Sequence, residues 1–225
     1  MPTAKRPQII LLAILPSVAI GLLNGLYPDE LPRDHPGWYW MADITQFILV
    51  PAIAVVVLHF FSGCRPREYG FQPILRDNKV HLAVGLILFV TFIYWLAYEP
   101  VKAVAYRFFW STASSPVFDA ALPTGQPLRI LTLLYICITA AVVEEPVFRS
   151  LPWLYFSSTM KFPTIPYLLT TTLLFSAIHW EHGVPNLVAN ATLGLAAGAL
   201  YTRVQNVWPF IWAHFLTGAW SYRWM

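Results

Sequence analysis

The sequence predicts an all-α fold, a polytopic bundle of about seven transmembrane helices, and three observations carry that prediction. Apolar residues make up 57% of the 225-residue chain and charged residues only 11%, too few to cover a water-facing surface. Several apolar runs approach the roughly 20 residues needed to cross hydrocarbon. Aromatic residues, 16% of the chain, crowd the ends of those runs at Trp38, Tyr39 and Trp40, at Trp208, and at Trp220, Tyr222 and Trp224, as interfacial belts do. Once those helices are drawn, no length is left for a soluble domain.

In chain order the expected spans are 8–26, 42–62, 80–98, 128–157, 164–181, 186–203 and 206–222. Lys5 and Arg6 precede the first apolar run as in a signal peptide, but no small-x-small cleavage site follows, so it is read as a helix. The second and third are nearly uncharged. Pro146 and Pro152 each remove a backbone donor from the fourth, which is expected to bend there yet continue to about residue 157. The fifth starts after Pro163. Gly194 and Gly198 in the sixth form a Gly-x-x-x-Gly pair that permits close helix approach, read as packing and not dimerisation. Trp208 and Pro209 open the seventh.

The loops divide the chain. Residues 28–37 form a proline-rich acidic loop, whereas 63–79 carries Arg65, Arg67, Arg76 and Lys79. The positive-inside rule then puts the amino terminus and the 63–79 loop in the cytoplasm of a multi-pass protein of a cell membrane. A longer loop, 99–127, in which Glu99 and Lys102 are expected to be solvated, separates an amino-terminal three-helix region, 1–127, from a four-helix catalytic core, 128–225. Basic residues are scattered over loops, so the net charge of +3 fits that bias and not nucleic-acid binding. Cys64 and Cys137 lie on separate elements and are read as packing residues, with no disulfide and no cysteine metal site.

Chemistry is confined to a few polar groups inside the spans. Glu144 and Glu145 stand with Arg149 in an otherwise apolar run, and ionised groups at such depth mark a functional site by default. Glu145 and Arg149 are i,i+4 neighbours able to pair on one helix face. Glu144 lies about 100° away around the helix and is left free to meet water as a general base. The structural alternative is an ion cluster that locks helices together. His179 falls near the end of the fifth span, where histidines are often interfacial. His214 sits in mid-span and needs a partner or a cavity. One Glu and two His on three spans can activate a water and hold the oxyanion it creates. His182 could join His179 in a zinc site, but there is no His-Glu-x-x-His signature or cysteine cluster. No cofactor and no metal is expected.

Glu144-Glu145-x-x-x-Arg149, Phe175-x-x-x-His179 and the late-helix His214, together with the intervening Leu193-Gly-Leu-Ala-Ala-Gly-Ala-Leu-Tyr201 stretch, resemble the ordered signatures of the CAAX protease and bacteriocin-processing family of glutamic intramembrane proteases. The resemblance covers about residues 128–220. It implies that Glu144 and His179 activate water, that Glu145 and Arg149 shape the site, and that His214 stabilises the oxyanion. Four residues after His214, where the family pattern has Asn or Asp, stands Gly218. Asn190, an amide in mid-span that needs a partner in any case, is the expected substitute donor, ahead of Thr217. The function expected is an intramembrane endopeptidase acting on a membrane protein or lipid-anchored peptide, such as a carboxy-terminal tail or sorting tag. The competing readings are a non-catalytic scaffold, immunity or maturation protein of the same family, and a zinc-dependent membrane protease.

Overall fold

The computed structural model describes residues 6–23, 36–74, 80–109 and 122–222, and among these residues seven helices follow one another. The first, α1, is Arg6–Leu23. The second, α2, is a continuous run in which Pro36–Ile44, a π stretch Thr45–Leu49, Val50–Val57 and a second π stretch Leu58–Ser62 succeed one another. Then come α3, Val80–Phe109; α4, Gln126–Thr159; α5, Thr164–Ala177; α6, Val184–Val204; and α7, Trp208–Ser221. No strand occurs among the described residues. Four helices are long and apolar enough to cross a bilayer: α1, Tyr39–Ser62 of α2, α3 and α4.

The outer surface carries many large apolar side chains. Leu12, Ile53, Phe60, Leu88, Leu131, Ile165 and Leu173 are all exposed, a distribution that suits lipid and would be a large aggregation patch in water. The chain is an integral membrane helix bundle.

Each expected span contains a helix, and the boundaries differ most at the end of the third, which runs on to Phe109, and of the fifth, which stops at Ala177 short of the expected 181. The stretch 99–109 was read as loop, but α3 continues through Pro100 to Phe109, so Glu99 and Lys102 are helical. Neighbouring helices re-satisfy the backbone group a proline frees. Residues 110–121 of that expected loop and most of the acidic loop 28–37 lie outside the described residues.

Pro146 is accommodated by a π stretch, Pro146–Ser150, in which the Leu151 N–H reaches back to the Pro146 carbonyl. The wider turn lets α4 carry on to Thr159, and such π insertions occur often at functional sites. Glu144 is thereby held near the middle of a 34-residue helix.

Helix α3 packs on both α6 and α7, α6 on α5, and α7 on α4, so α3 of the amino-terminal region is built into the carboxy-terminal helices. Gly194 makes the α5–α6 approach possible: a Cβ there would stand 3.2 Å from the Thr172 Cα. Gly218 does the same for α4 and α7, since a Cβ would meet the Cys137 Sγ at 3.3 Å.

A short 3-10 turn, Pro66–Tyr69, closes one end. Gly70 adopts φ +89° directly against the Tyr201 hydroxyl, and its carbonyl accepts from the Val207 N–H at 2.9 Å. The exposed Glu68 bonds Arg6 at 2.6 Å. That hydrogen bond, joined by the Arg65 backbone N–H, holds the Glu68 carboxyl below its usual range.

Candidate functional site

Glu145 is the hub. It is fully buried, and its two carboxylate oxygens meet three groups from three helices. The Tyr94 hydroxyl of α3 donates to Oε2 at 2.8 Å. His214 Nδ1 of α7 lies 2.8 Å from Oε1. Arg149 Nε, one turn along α4, forms an ion pair with Oε2 at 3.4 Å, although Nε and Nη2 have no hydrogen-bond partner. The guanidinium sits 4.4 Å over the Phe175 ring, and Nη1 donates to the Phe148 carbonyl at 3.3 Å. A fully buried charge pair survives only with such supplementary partners.

Glu144 is different. It is buried, and its Oε2 makes no hydrogen bond. His214 Nε2 lies 3.9 Å from that oxygen, too far for a direct hydrogen bond. The His214 side chain is 19% exposed and that of Glu144 10%, against 0% for both Glu145 and Arg149. Access from outside therefore leads to Glu144 and His214, while Glu145 and Arg149 stand behind them.

The two imidazole nitrogens of His214 have separate roles. A carboxylate at Nδ1 makes that nitrogen the N–H donor and turns Nε2 toward Glu144. His179 is oriented in the same manner. Its Nδ1 lies 2.8 Å from the Phe175 carbonyl, which has no proton to give, so Nδ1 donates and Nε2 is left as an acceptor. The Phe175 ring stands between the two histidines, with centroid distances of 5.0 Å to His179 and 6.4 Å to His214. Helix α5 ends at Ala177, and the turn that follows carries His179.

Asn190 is buried on α6, and its Nδ2 donates to the Asn186 carbonyl at 2.9 Å. Asn186 in turn donates to the His182 carbonyl at 2.7 Å and accepts from the Tyr98 hydroxyl at 3.2 Å. One Asn190 N–H remains after its intrahelical bond. The Thr217 hydroxyl is buried without a partner. Among the described residues no group of three or more His, Cys, Asp or Glu is placed to hold a metal ion; His182 meets Glu181 at 3.4 Å.

Tyr94 was not anticipated. A tyrosine within Phe92-Ile-Tyr-Trp-Leu reads as an aromatic among aromatics, and only its distance from the chain ends of its span hinted at a buried partner. A further buried acid, Asp43, has no role in the sequence reading; it accepts from the Tyr135 hydroxyl of α4 at 2.9 Å.

Residues 126–220 match the family model described as type II CAAX prenyl endopeptidase Rce1-like. The match begins with α4 and ends within α7, so it takes in Glu144, Glu145, Arg149, His179, Asn190 and His214. No curated protein and no solved structure gives a significant match to the chain. The segment that carries the acid pair and the two histidines is thus similar to an Rce1-like type II CAAX prenyl endopeptidase domain, in line with the resemblance to the CAAX protease and bacteriocin-processing family read from the sequence.

Proposed function

We propose that the protein is a glutamic intramembrane peptidase in which Glu144 activates a water for attack on a peptide carbonyl. One observation carries this reading: Glu144 is buried yet unpartnered at Oε2, 3.9 Å from a histidine nitrogen whose ring is held from behind by Glu145. A gap of that length suits a water or a substrate oxygen bonded to both groups.

In this mechanism Glu144 takes a proton from the water and the resulting hydroxide adds to the carbonyl carbon. His179 Nε2, an acceptor, orients the same water. Two carboxylates beside one guanidinium leave one negative charge, which an imidazolium at His214 balances; its Nε2–H then donates to the oxyanion. Glu144 returns the proton to the leaving nitrogen as the C–N bond breaks, giving an amine and a carboxylic acid. Asn190 is the proposed second oxyanion donor through its remaining N–H. Tyr94 and Arg149 hold Glu145, and Glu145 holds His214.

The proposed substrate is a lipid-anchored or membrane-bound peptide tail, and a prenylated carboxy-terminal tail fits best. The open groove lined by Pro100, Val104, Phe108 and Val188 is entirely apolar and suits an isoprenyl or acyl chain. The amino terminus is proposed to face the cytoplasm. A non-catalytic role is favoured by Gly218 alone, which lacks the side-chain donor of the family pattern and faces Cys137.

Purified wild type should cleave a prenylated tail peptide, and Glu144→Gln should abolish cleavage while eluting as the same monodisperse, helical species. A Glu144→Gln protein with full activity sinks the mechanism. A wild type inert toward prenylated tails, leader peptides and sorting tags alike makes the non-catalytic reading the better one.

A further inference from the structure

On α3, Tyr94, Tyr98 and Lys102 follow at i, i+4 and i+8 along one side of the helix. Tyr94 marks the level of the candidate site, because its hydroxyl donates to Glu145 and its ring lies 6.4 Å from that of His214. Tyr98, one turn on, donates to Asn186. Lys102, a further turn on, places Nζ 3.4 Å from the Tyr98 hydroxyl and 5.2 Å from the Tyr98 ring centroid. It is half-buried and has no carboxylate within ion-pair distance among the described residues. Glu99, the nearest acid on its own helix, instead accepts from Ser221 of α7.

An ammonium ion held half out of water beside the Tyr98 hydroxyl, with the Glu99 carboxylate beyond ion-pair distance and bonded to Ser221, is suited to receive an anion. Eight residues of helix put Lys102 about 12 Å from the level of Tyr94, at roughly 1.5 Å per residue. An extended peptide covers roughly 3.3–3.6 Å per residue. A chain running from the candidate site to Lys102 therefore ends after between three and four residues.

Building on the peptidase reading, we propose that Lys102 receives the terminal carboxylate of the substrate tail and so sets the distance of the scissile bond from the chain end. Lys102 is then a specificity-determining residue, the ligand is a peptide α-carboxylate, and Asn186 lies along the path between that carboxylate and the reacting bond.

The test is equilibrium binding, which does not depend on turnover. Full-length protein in detergent is titrated into two fluorescent tail peptides of one sequence, ending in a free carboxylate or in a carboxamide, and anisotropy is read. Wild type should bind the acid about tenfold more tightly, roughly the difference one partly exposed charge-assisted contact makes. Lys102→Gln should bind both peptides at the wild-type amide level, and Lys102→Arg should keep the preference. In parallel, peptides lengthened at the carboxy terminus are incubated with wild type and the products weighed; the cut should move with the chain end.

Equal binding of acid and amide by wild type overturns the proposal without recourse to any variant, and so does an undiminished preference in Lys102→Gln. An acid preference without cleavage of any peptide upholds the receptor and overturns the peptidase reading. Cleavage without an acid preference does the reverse.

Discussion

Two acid sites on the bundle's helices, at Asp43 and at Glu144–Glu145, are partnered in opposite ways. Asp43 on α2 meets a single neutral donor, the Tyr135 hydroxyl at 2.9 Å, and joins two helices. At the second site Glu145 is bound by a phenol, an imidazole and a guanidinium, whereas the adjacent Glu144 has nothing on Oε2. A carboxylate that only ties helices together needs one good donor and gains nothing from being left open. Leaving Glu144 open is costly in an apolar interior, and such an unmet group is where substrate chemistry belongs. Under the proposed mechanism the contrast distinguishes a structural acid from a reactive one by how each is partnered, which the bare presence of Asp or Glu in a span does not.

The strongest way to break that comparison is to remove the open carboxylate. Glu144→Gln should lower cleavage about 10²–10⁴-fold, the usual worth of a general base, with unchanged thermal unfolding; product formation and melting curves of the same preparation decide it. Asp43→Asn should leave the rate within about twofold, because the amide oxygen still accepts from Tyr135.

Next in size is the hub. Glu145→Ala leaves Arg149 buried without its carboxylate and should cost about 3–5 kcal/mol, seen as loss of folded protein in a denaturant titration. Glu145→Gln keeps the shape and should cost less. If Glu145→Ala folds as well as wild type, the acid is not what holds the guanidinium.

Tyr94→Phe sharpens the same point at smaller scale. It removes one hydrogen bond to a charged group, worth about 1.5–3 kcal/mol, and by loosening the carboxylate that holds His214 it should lower the cleavage rate more than it raises KM. Tyr135→Phe removes the corresponding phenol at Asp43 and should lower stability without touching the rate.

The smallest effect belongs to the exposed Arg6–Glu68 pair, outside both acid sites. Because Glu68 is held below its ordinary value by the Arg6 hydrogen bond, its contribution is present at neutral pH and is lost as pH falls through the depressed folded value. Glu68→Gln should therefore lower the melting temperature slightly at pH 7, with the difference closing as acidification protonates Glu68 in the folded protein. Screening of an exposed pair keeps that difference small. A gap that widens on acidification contradicts the assignment.

Much of this molecule was legible in the residues. Seven apolar runs gave seven helices because a bilayer leaves a polar backbone no other means of satisfying itself than the helix. The i,i+4 spacing of Glu145 and Arg149 put them within ion-pair range because a helix repeats every 3.6 residues. Isolation of Glu144 followed from the same geometry. These are local consequences of periodicity and solvent, and the chain order alone determines them.

Other features required the packed bundle. Nothing local says that His214 turns Nδ1 to Glu145 and Nε2 to Glu144, since α4 and α7 are joined only in space. Tyr94 became part of the site because α3 packs on α7, and Lys102 became a candidate receptor because α3 continues to Phe109, beyond the end expected at residue 98. Gly218 reads as a missing donor in the chain, yet in the bundle it is the gap into which Cys137 fits. Sequence periodicity dictates which faces exist and which residues share them. Which faces meet, and so which polar groups find partners and which remain open to a substrate, is decided only when the helices pack.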